Sequence, residues 1–96
     1  MSLLDELRAR REEILALAAT HGVISLRVFG SALRGEEKPG SDVDFLISME
    51  QGRDYFDLVE LQLALEAMLG RACDVVSEGG LHRLLRDAIM REACPL

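Results

Sequence analysis

The chain has 96 residues, 49% of them hydrophobic, and a formal net charge of −6 from 17 acidic and 11 basic residues. This length predicts one domain, residues 1–96, and the composition argues against a disordered chain. No apolar run reaches the roughly 20 residues that span a bilayer, and the charged N-terminus is unlike a signal peptide, so we expect a cytoplasmic protein. The acidic balance argues against broad binding to nucleic acid, which needs a basic surface.

The first half of the chain predicts a helix, a strand and a short helix. Apolar residues at helical spacing indicate a helix from 2 to about 20, with Ser2 and Asp5 arranged as a capping box and Gly22 after its end. The run "VISLRVFG", 23–30, predicts a strand. Its expected core face comprises Ile24, Leu26 and Val28. The segment "SALRGEE" predicts one or two helical turns, which "KPG" ends.

The second half predicts two strands, 43–49 and 73–77, and two helices, 54–69 and 81–90, with a loop at Gly79-Gly80. The apolar stripe of the longer helix comprises Leu58, Leu61, Leu65, Met68 and Leu69, widened by Val59 and Leu63. The last helix has a broad apolar face that either completes the core or faces a partner. The resulting order, α-β-α-β-α-β-α, favours an α+β fold with helices packed on a small sheet.

Two aspartates stand where the second strand begins, Asp42 and Asp44. Residues two apart in a strand point to the same face, so these carboxylates lie side by side while Val43 points towards the core. Neighbouring like charges repel each other. A Mg²⁺ ion resolves that repulsion, since it binds through one or two carboxylates together with substrate phosphates. The alternative interpretation is a solvated turn capped by Asp42.

A third carboxylate, Asp74, interrupts the apolar strand 73–77. If that strand lies beside the Asp42/Asp44 strand, three acids meet at one place. Three acids suit two metal ions about 4 Å apart, an arrangement that steadies the attacking and leaving oxygens in phosphoryl transfer. The alternative for Asp74 is an exposed residue at a sheet edge.

The Gly30-Ser31 pair lies between a strand and a short helix, where backbone N–H groups favour phosphate and glycine permits close approach. The Ser31 hydroxyl is an additional donor. Ser41 either donates to phosphate or bonds its own turn. Arg34 and Lys38 are candidate charge partners for phosphate oxygens.

The spacing of these groups, Gly30-Ser31, ten residues, then Asp42-x-Asp44, resembles that of the DNA-polymerase-beta-like nucleotidyltransferase superfamily. The segment "GSALRGEEKPGSDVDFLI" is most similar to its minimal nucleotidyltransferase (MNT) branch, although Leu33 replaces the usual alanine. The resemblance covers almost the entire chain. It implies the nucleotidyltransferase fold, a short mixed sheet backed by helices.

The resemblance also implies roles for individual residues. Gly30, Ser31 and Arg34 match the nucleotide-binding segment, whereas Asp42 and Asp44 match the metal-binding acids. Asp74 matches the third acid, which shares a metal and helps to deprotonate the acceptor hydroxyl. The cofactors implied are two Mg²⁺ ions, with ATP as substrate.

The MNT branch further implies a partner, a HEPN-type toxin, because members act as antitoxins and some transfer AMP from ATP to a tyrosine of the toxin. The leading hypothesis is therefore a protein adenylyltransferase. The alternative is a binding module that neutralises the HEPN-type partner by complex formation, which the acidic balance would suit if the partner is basic. A polymerase-like enzyme acting on nucleic acid is the least favoured, and self-association is left open.

Overall fold

A computed structural model describes residues 2–96. The helices are α1 (Leu3–Ala9), α2 (Arg11–Thr20), α3 (Ser31–Arg34), α4 (Tyr55–Leu69) and α5 (Arg83–Glu92), with a 3₁₀ turn at Glu78–Gly80. The strands are β1 (Val23–Phe29), β2 (Val43–Met49), β3 (Cys73–Ser77) and β4 (Cys94–Pro95). Within the described part of the chain, no helix combines the length and hydropathy needed to cross a membrane.

The four strands form one mixed sheet in the order β3-β2-β1-β4. The pairs β1–β2 and β1–β4 are antiparallel, whereas β2 and β3 are parallel and are joined through α4. A parallel pair needs a long crossover connection, and α4 supplies it. The α+β class and the mixed sheet that the resemblance implied are therefore confirmed.

One face of this sheet carries the main hydrophobic core, and we call it the core face. Its strand residues Val28, Val43, Phe45 and Ile47 are completely buried. Leu7 of α1, Ile14 of α2 and Leu61 of α4 belong to the same buried cluster. The opposite face, which carries Asp44 and Asp74, is called the carboxylate face. Because side chains alternate along a strand, burying Val43 and Phe45 turns Asp44 to the other side.

The first predicted helix is in fact two helices that meet at Arg10. This residue has φ −106° and ψ 19°, outside the helical range, and its Nη1 donates to the carbonyl oxygen of Met68 at 2.7 Å. The bend lets α1 and α2 each bury their own apolar residues. The expected capping box is confirmed, because the Asp5 N–H donates to the Ser2 hydroxyl at 3.1 Å and the Ser2 N–H donates to Asp5 at 3.3 Å.

Two apolar residues expected in the core are exposed. Ile24 is 68% exposed because the pairing of β1 with β2 shifts register between Val23 and Ser25, which breaks the strand alternation. Leu63 is 59% exposed, since the buried stripe of α4 is narrower than predicted and centres on Leu58, Leu61 and Leu65. The prediction for Leu26 and Val28 is confirmed, as both are buried.

The C-terminal region differs most from the sequence prediction. The last helix begins and ends two residues later than expected, and none of its residues is buried. Its apolar face therefore does not complete the core, and Leu84 remains 82% exposed. Gly79 and Gly80 lie in the 3₁₀ turn, and an unpredicted strand, β4, follows α5 and pairs with Arg27 and Val28 of β1.

Side chains of α4 cover the free edge of β3. The backbone N–H of Cys73 donates to Glu66 Oε2 at 2.9 Å, and that of Val75 donates to Gln62 Oε1 at 3.3 Å. An unpaired edge strand otherwise invites pairing with another chain. These contacts hold β3 in the position that sets Asp74 beside Asp44.

Candidate active site

Gly30 forms the turn between β1 and α3, and its conformation is one that only glycine adopts readily. Its φ is +76° and its ψ is −156°. A Cβ atom at this position would overlap Oδ2 of Asp44. The missing side chain therefore allows the Asp44 carboxylate to lie directly against the Gly30 backbone.

The sheet register aligns Asp44 with groups on both neighbouring strands. Asp44 pairs with Phe29 of β1 and, in the parallel direction, with Asp74 of β3. Cross-strand partners project to the same face and neighbouring strands lie about 4.8 Å apart. Asp42 precedes β2 by one residue and is exposed, as is Asp74, whereas Asp44 is half-buried. The predicted meeting of the Asp42/Asp44 and Asp74 strands is thus observed.

The electrostatic environment raises the pKa of Asp44 above that of an ordinary aspartate. Burial is the largest cause, followed by the charges of Asp74 and Asp42, while Arg34 acts in the opposite direction. Both burial and like charges disfavour the ionised carboxylate. The three acids are therefore close enough to influence one another, and a cation bound beside Asp44 would offset their repulsion.

The donor set suits Mg²⁺ that is bound jointly by protein and ligand. Within residues 2–96, no group of three or more His, Cys, Asp or Glu side chains is arranged to hold a metal by itself. Asp44 and Asp74 nevertheless stand side by side, with Asp42 two residues away. Mg²⁺ often binds through one or two carboxylates plus substrate phosphates. The residues fit an ion that shares its ligands with a polyphosphate.

The remaining predicted phosphate ligands lie around the same end of β2. Ser31 is the first residue of α3 and is half-buried. The Ser41 hydroxyl accepts from the backbone N–H of Lys38 at 2.8 Å, and the Ser41 N–H donates to the Lys38 carbonyl at 2.9 Å. Ser41 thus makes the turn contact that was one of its two interpretations. Lys38 itself is exposed.

Arg34 projects from the end of α3 and pairs with two glutamates. Its Nε donates to Glu36 Oε1 at 2.8 Å, and its Nη1 contacts Glu92 Oε1. The other oxygen of Glu92 accepts from the Gly30 N–H at 3.1 Å. Glu92 was missed by sequence reasoning because it is 62 residues from Gly30, in a helix whose position no local pattern indicates.

His82 and Cys73 have structural roles. His82 caps α5, since its Nδ1 accepts from the Leu84 N–H at 3.2 Å. Burial, followed by the charge of Glu66, raises the pKa of the Cys73 thiol to about 11. A thiol with that pKa stays protonated at neutral pH, and thiolate is the reactive form. Cys73 therefore packs in the core.

Comparison with known proteins shows which family this chain belongs to. The family model described as the nucleotidyltransferase domain matches residues 5–95. The chain is 36% identical over 89 residues to "Protein adenylyltransferase MntA" of Thermococcus cleftensis, covering 84% of this chain and 90% of that protein. A solved structure described as a "putative minimal nucleotidyltransferase" has 51% identity and a TM-score of 0.87, over 100% of this chain and 97% of the other.

The fold also occurs in a toxin–antitoxin complex, a tri-AMPylated Shewanella oneidensis HEPN toxin with its MNT antitoxin. That match has 17% identity and a TM-score of 0.70, over 92% of this chain and 69% of the other. It shows that the fold is shared. Together with the family match over residues 5–95, the relatives establish that this chain belongs to the nucleotidyltransferase domain family and is an enzyme of its minimal type.

Proposed function

We propose that the protein is a Mg²⁺-dependent adenylyltransferase that moves AMP from ATP to a tyrosine of a HEPN-type toxin, and so acts as the antitoxin. The observation that carries this proposal is the contact between the Gly30 turn and Asp44, with Asp74 alongside. In this contact, backbone N–H groups that favour phosphate lie against carboxylates that favour Mg²⁺. Nucleotidyl transfer needs both in one place.

Each predicted residue then has a defined task. Gly30 and Ser31 bind the β- and γ-phosphates, Arg34 contributes positive charge, and Ser41 holds the turn that leads into β2. Asp42, Asp44 and Asp74 hold two Mg²⁺ ions, which neutralise charge on the phosphates. Tight positioning and charge stabilisation supply most of the rate in such reactions.

The reaction is a substitution at the α-phosphorus of ATP. The acceptor oxygen forms a bond to that phosphorus while the bond from phosphorus to the α,β-bridging oxygen breaks. AMP becomes esterified to the acceptor and pyrophosphate leaves. Asp74 is exposed beside Asp44, which suits it to accept the proton of the hydroxyl.

The acceptor is proposed to be a protein because the relative with 36% identity is named a protein adenylyltransferase. We propose that residues 1–96 act as one domain and that the partner supplies the remaining contacts. The named adenylyltransferase relative and the AMPylated toxin bound to a protein of the same fold support this assignment. Such a partner and ATP would meet in the cytoplasm.

The test is label transfer from ATP to a purified HEPN-type protein from the same organism. We would compare α-³²P with γ-³²P label, with and without Mg²⁺, using wild type and Asp42→Asn/Asp44→Asn. We expect α-label on the acceptor only with wild type and Mg²⁺, and mass spectrometry should find the adduct on tyrosine. A HEPN variant with that tyrosine replaced by phenylalanine is the matched acceptor control.

If the double variant transfers label as well as wild type does, Asp42 and Asp44 do not have the catalytic role proposed for them. The acidic balance, −6 overall, also suits a binding module that covers a basic partner. If no label transfers while both wild type and the double variant still bind and neutralise the partner, that second function replaces the first.

A further inference from the structure

The Glu92 carboxylate occupies the position that the proposed function gives to phosphate. One of its oxygens accepts from the Gly30 N–H at 3.1 Å, and the other pairs with Arg34. These are a backbone donor and a guanidinium that are both predicted to bind a triphosphate. A carboxylate and a phosphate oxygen are both anionic acceptors, so they suit the same donors.

Glu92 and a phosphate cannot use the Gly30 donor together. A backbone N–H has one hydrogen to donate, and Glu92 already accepts it. The region is also rich in negative charge, because Glu92 adds to the Asp74 and Asp42 charges that act on Asp44. A bound phosphate beside Glu92 would add to this repulsion unless the carboxylate moves away.

The helix that carries Glu92 is weakly held. No residue of α5 is buried, and within residues 2–96 no other helix or strand packs extensively against it. Its anchors are the hydrogen bonds of Arg27 to Met90 and of Arg86 to the Glu78 carbonyl, and the short strand β4 that follows. A helix with few buried contacts moves at low cost.

We propose that Glu92 is an internal competitor of the nucleotide: it closes the phosphate site in the free protein, and ATP must displace it together with the last turn of α5. This inference rests on the proposed function, since it assumes that Gly30 and Arg34 bind phosphate. Binding free energies are linked reciprocally. A partner that binds with α5 displaced would therefore tighten ATP binding by the same factor by which ATP tightens binding of that partner.

The test measures MgATP affinity by calorimetry for wild type and Glu92→Gln, which keeps the shape of the side chain and removes its charge. We expect Kd to fall about tenfold in Glu92→Gln, within the usual range of coupling between two ligands. The matched control is Glu36→Gln, because Glu36 also pairs with Arg34 but does not contact Gly30. We expect its Kd to change by less than about threefold, as for an exposed ion pair.

Inorganic triphosphate serves as a second probe, because Glu92 is proposed to compete with phosphate and not with the nucleoside. Its affinity should rise in Glu92→Gln by the same factor as that of ATP. Glu92→Asp, one methylene shorter, provides a second variant should Glu92→Gln fail to fold. The shorter aspartate side chain cannot reach both the Gly30 N–H and Arg34. This variant is therefore also expected to bind ATP more tightly than wild type does.

Hydrogen exchange gives an independent readout of the displacement. On addition of MgATP, the amides of 83–92 should exchange faster in wild type, while those of α4 should not. If ATP binds to wild type but Glu92→Gln binds it equally or less tightly, the competition is overturned and the proposed function stands. If neither wild type nor any Glu92 variant binds ATP, the proposed function itself fails, and the inference with it.

Discussion

The two faces of the sheet are built by different rules. On the core face, Val43, Phe45 and Ile47 are fully buried against α1, α2 and α4. On the carboxylate face, the same strand carries Asp44 between two other acids, next to a glycine in a conformation disfavoured for other residues. The carboxylate face also buries Leu46 completely, but the main hydrophobic cluster lies on the core face. Around Asp44 the carboxylate face keeps like charges together at a cost, which is typical of functional sites.

The helices associated with the two faces differ in the same way. Helix α4 buries Leu58, Leu61 and Leu65, whereas no residue of α5 is fully buried although its apolar and polar residues are well separated. An amphipathic pattern shows which side of a helix is apolar, but it does not show that a surface is available to cover that side. Substitutions in the two helices should therefore differ in their effect on stability.

Truncating a buried leucine of α4 should destabilise the protein far more than truncating an apolar residue of α5. We expect Leu61→Ala to reduce the free energy of unfolding by about 2–5 kcal/mol, because it leaves a cavity in the core. Leu84→Ala, at a side chain that is 82% exposed, should change it by less than about 0.5 kcal/mol. Urea unfolding measures both. Equal losses would mean that α5 packs as α4 does.

Two glycines that flank α3 should respond differently to alanine. Gly30→Ala forces a disfavoured conformation, which costs about 1–3 kcal/mol, and its Cβ overlaps Asp44. Gly35 has φ +72°, but a Cβ added there would meet no atom within 4 Å, so Gly35→Ala costs only the left-handed conformation, about 1 kcal/mol. Both the thermal unfolding temperature and the rate of AMP transfer should be lower for Gly30→Ala than for Gly35→Ala. Retained transfer in Gly30→Ala would contradict the close contact.

Removing the N-terminal cap of α4 should destabilise the protein more than removing that of α5. Asp54 accepts from the N–H groups of Phe56 and Asp57 at 3.0 and 3.3 Å, so Asp54→Ala should cost about 1 kcal/mol. His82→Ala removes a single capping bond from α5 and should cost less than about 0.5 kcal/mol, since the rest of the fold depends little on that helix. Denaturant unfolding of the two variants tests the order, and a larger loss for His82→Ala would reverse it.

Removing the charge of Asp44 should stabilise the free protein, with a gain of about 1 kcal/mol or less for Asp44→Asn at neutral pH. Burial first, and then Asp74 and Asp42, raise the pKa of Asp44 above the ordinary value of 3.8. The folded state therefore binds this proton more tightly than the unfolded state. Ionising Asp44 therefore lowers the free energy of unfolding. This loss begins as the pH rises above the ordinary pKa of the unfolded state, and it is complete above the raised pKa of the folded state.

The advantage of Asp44→Asn should accordingly shrink as the pH falls towards 3.8 and below, where Asp44 is protonated in both states. Thermal unfolding of both proteins between pH 3.5 and 8 measures this difference. Addition of Mg²⁺ with ATP should stabilise wild type more than Asp44→Asn. A stability difference that is constant across this pH range would show that Asp44 titrates as an ordinary aspartate.

Much of the site could be predicted from sequence because its signals are local. Asp42, Asp44 and the Gly30-Ser31 pair lie within one strand–turn–strand segment, and strand alternation is enough to place the two acids on one face. Asp74 needed one assumption, that β3 lies beside β2, and the observed register confirms it. Glu92 could not be found in this way, because its contact with Gly30 joins segments 62 residues apart.

The sequence alone was enough to predict the α+β class, the main strands and helices, and the candidate site residues, because periodicity, caps and glycines act over a few residues. Only the tertiary structure decided the break at Arg10, the exposure of Ile24, the pairing of β4 and the position of α5. These features depend on which surfaces are left to cover once the core is filled. The contact of Glu92 with Gly30 and Arg34 is a consequence of that arrangement.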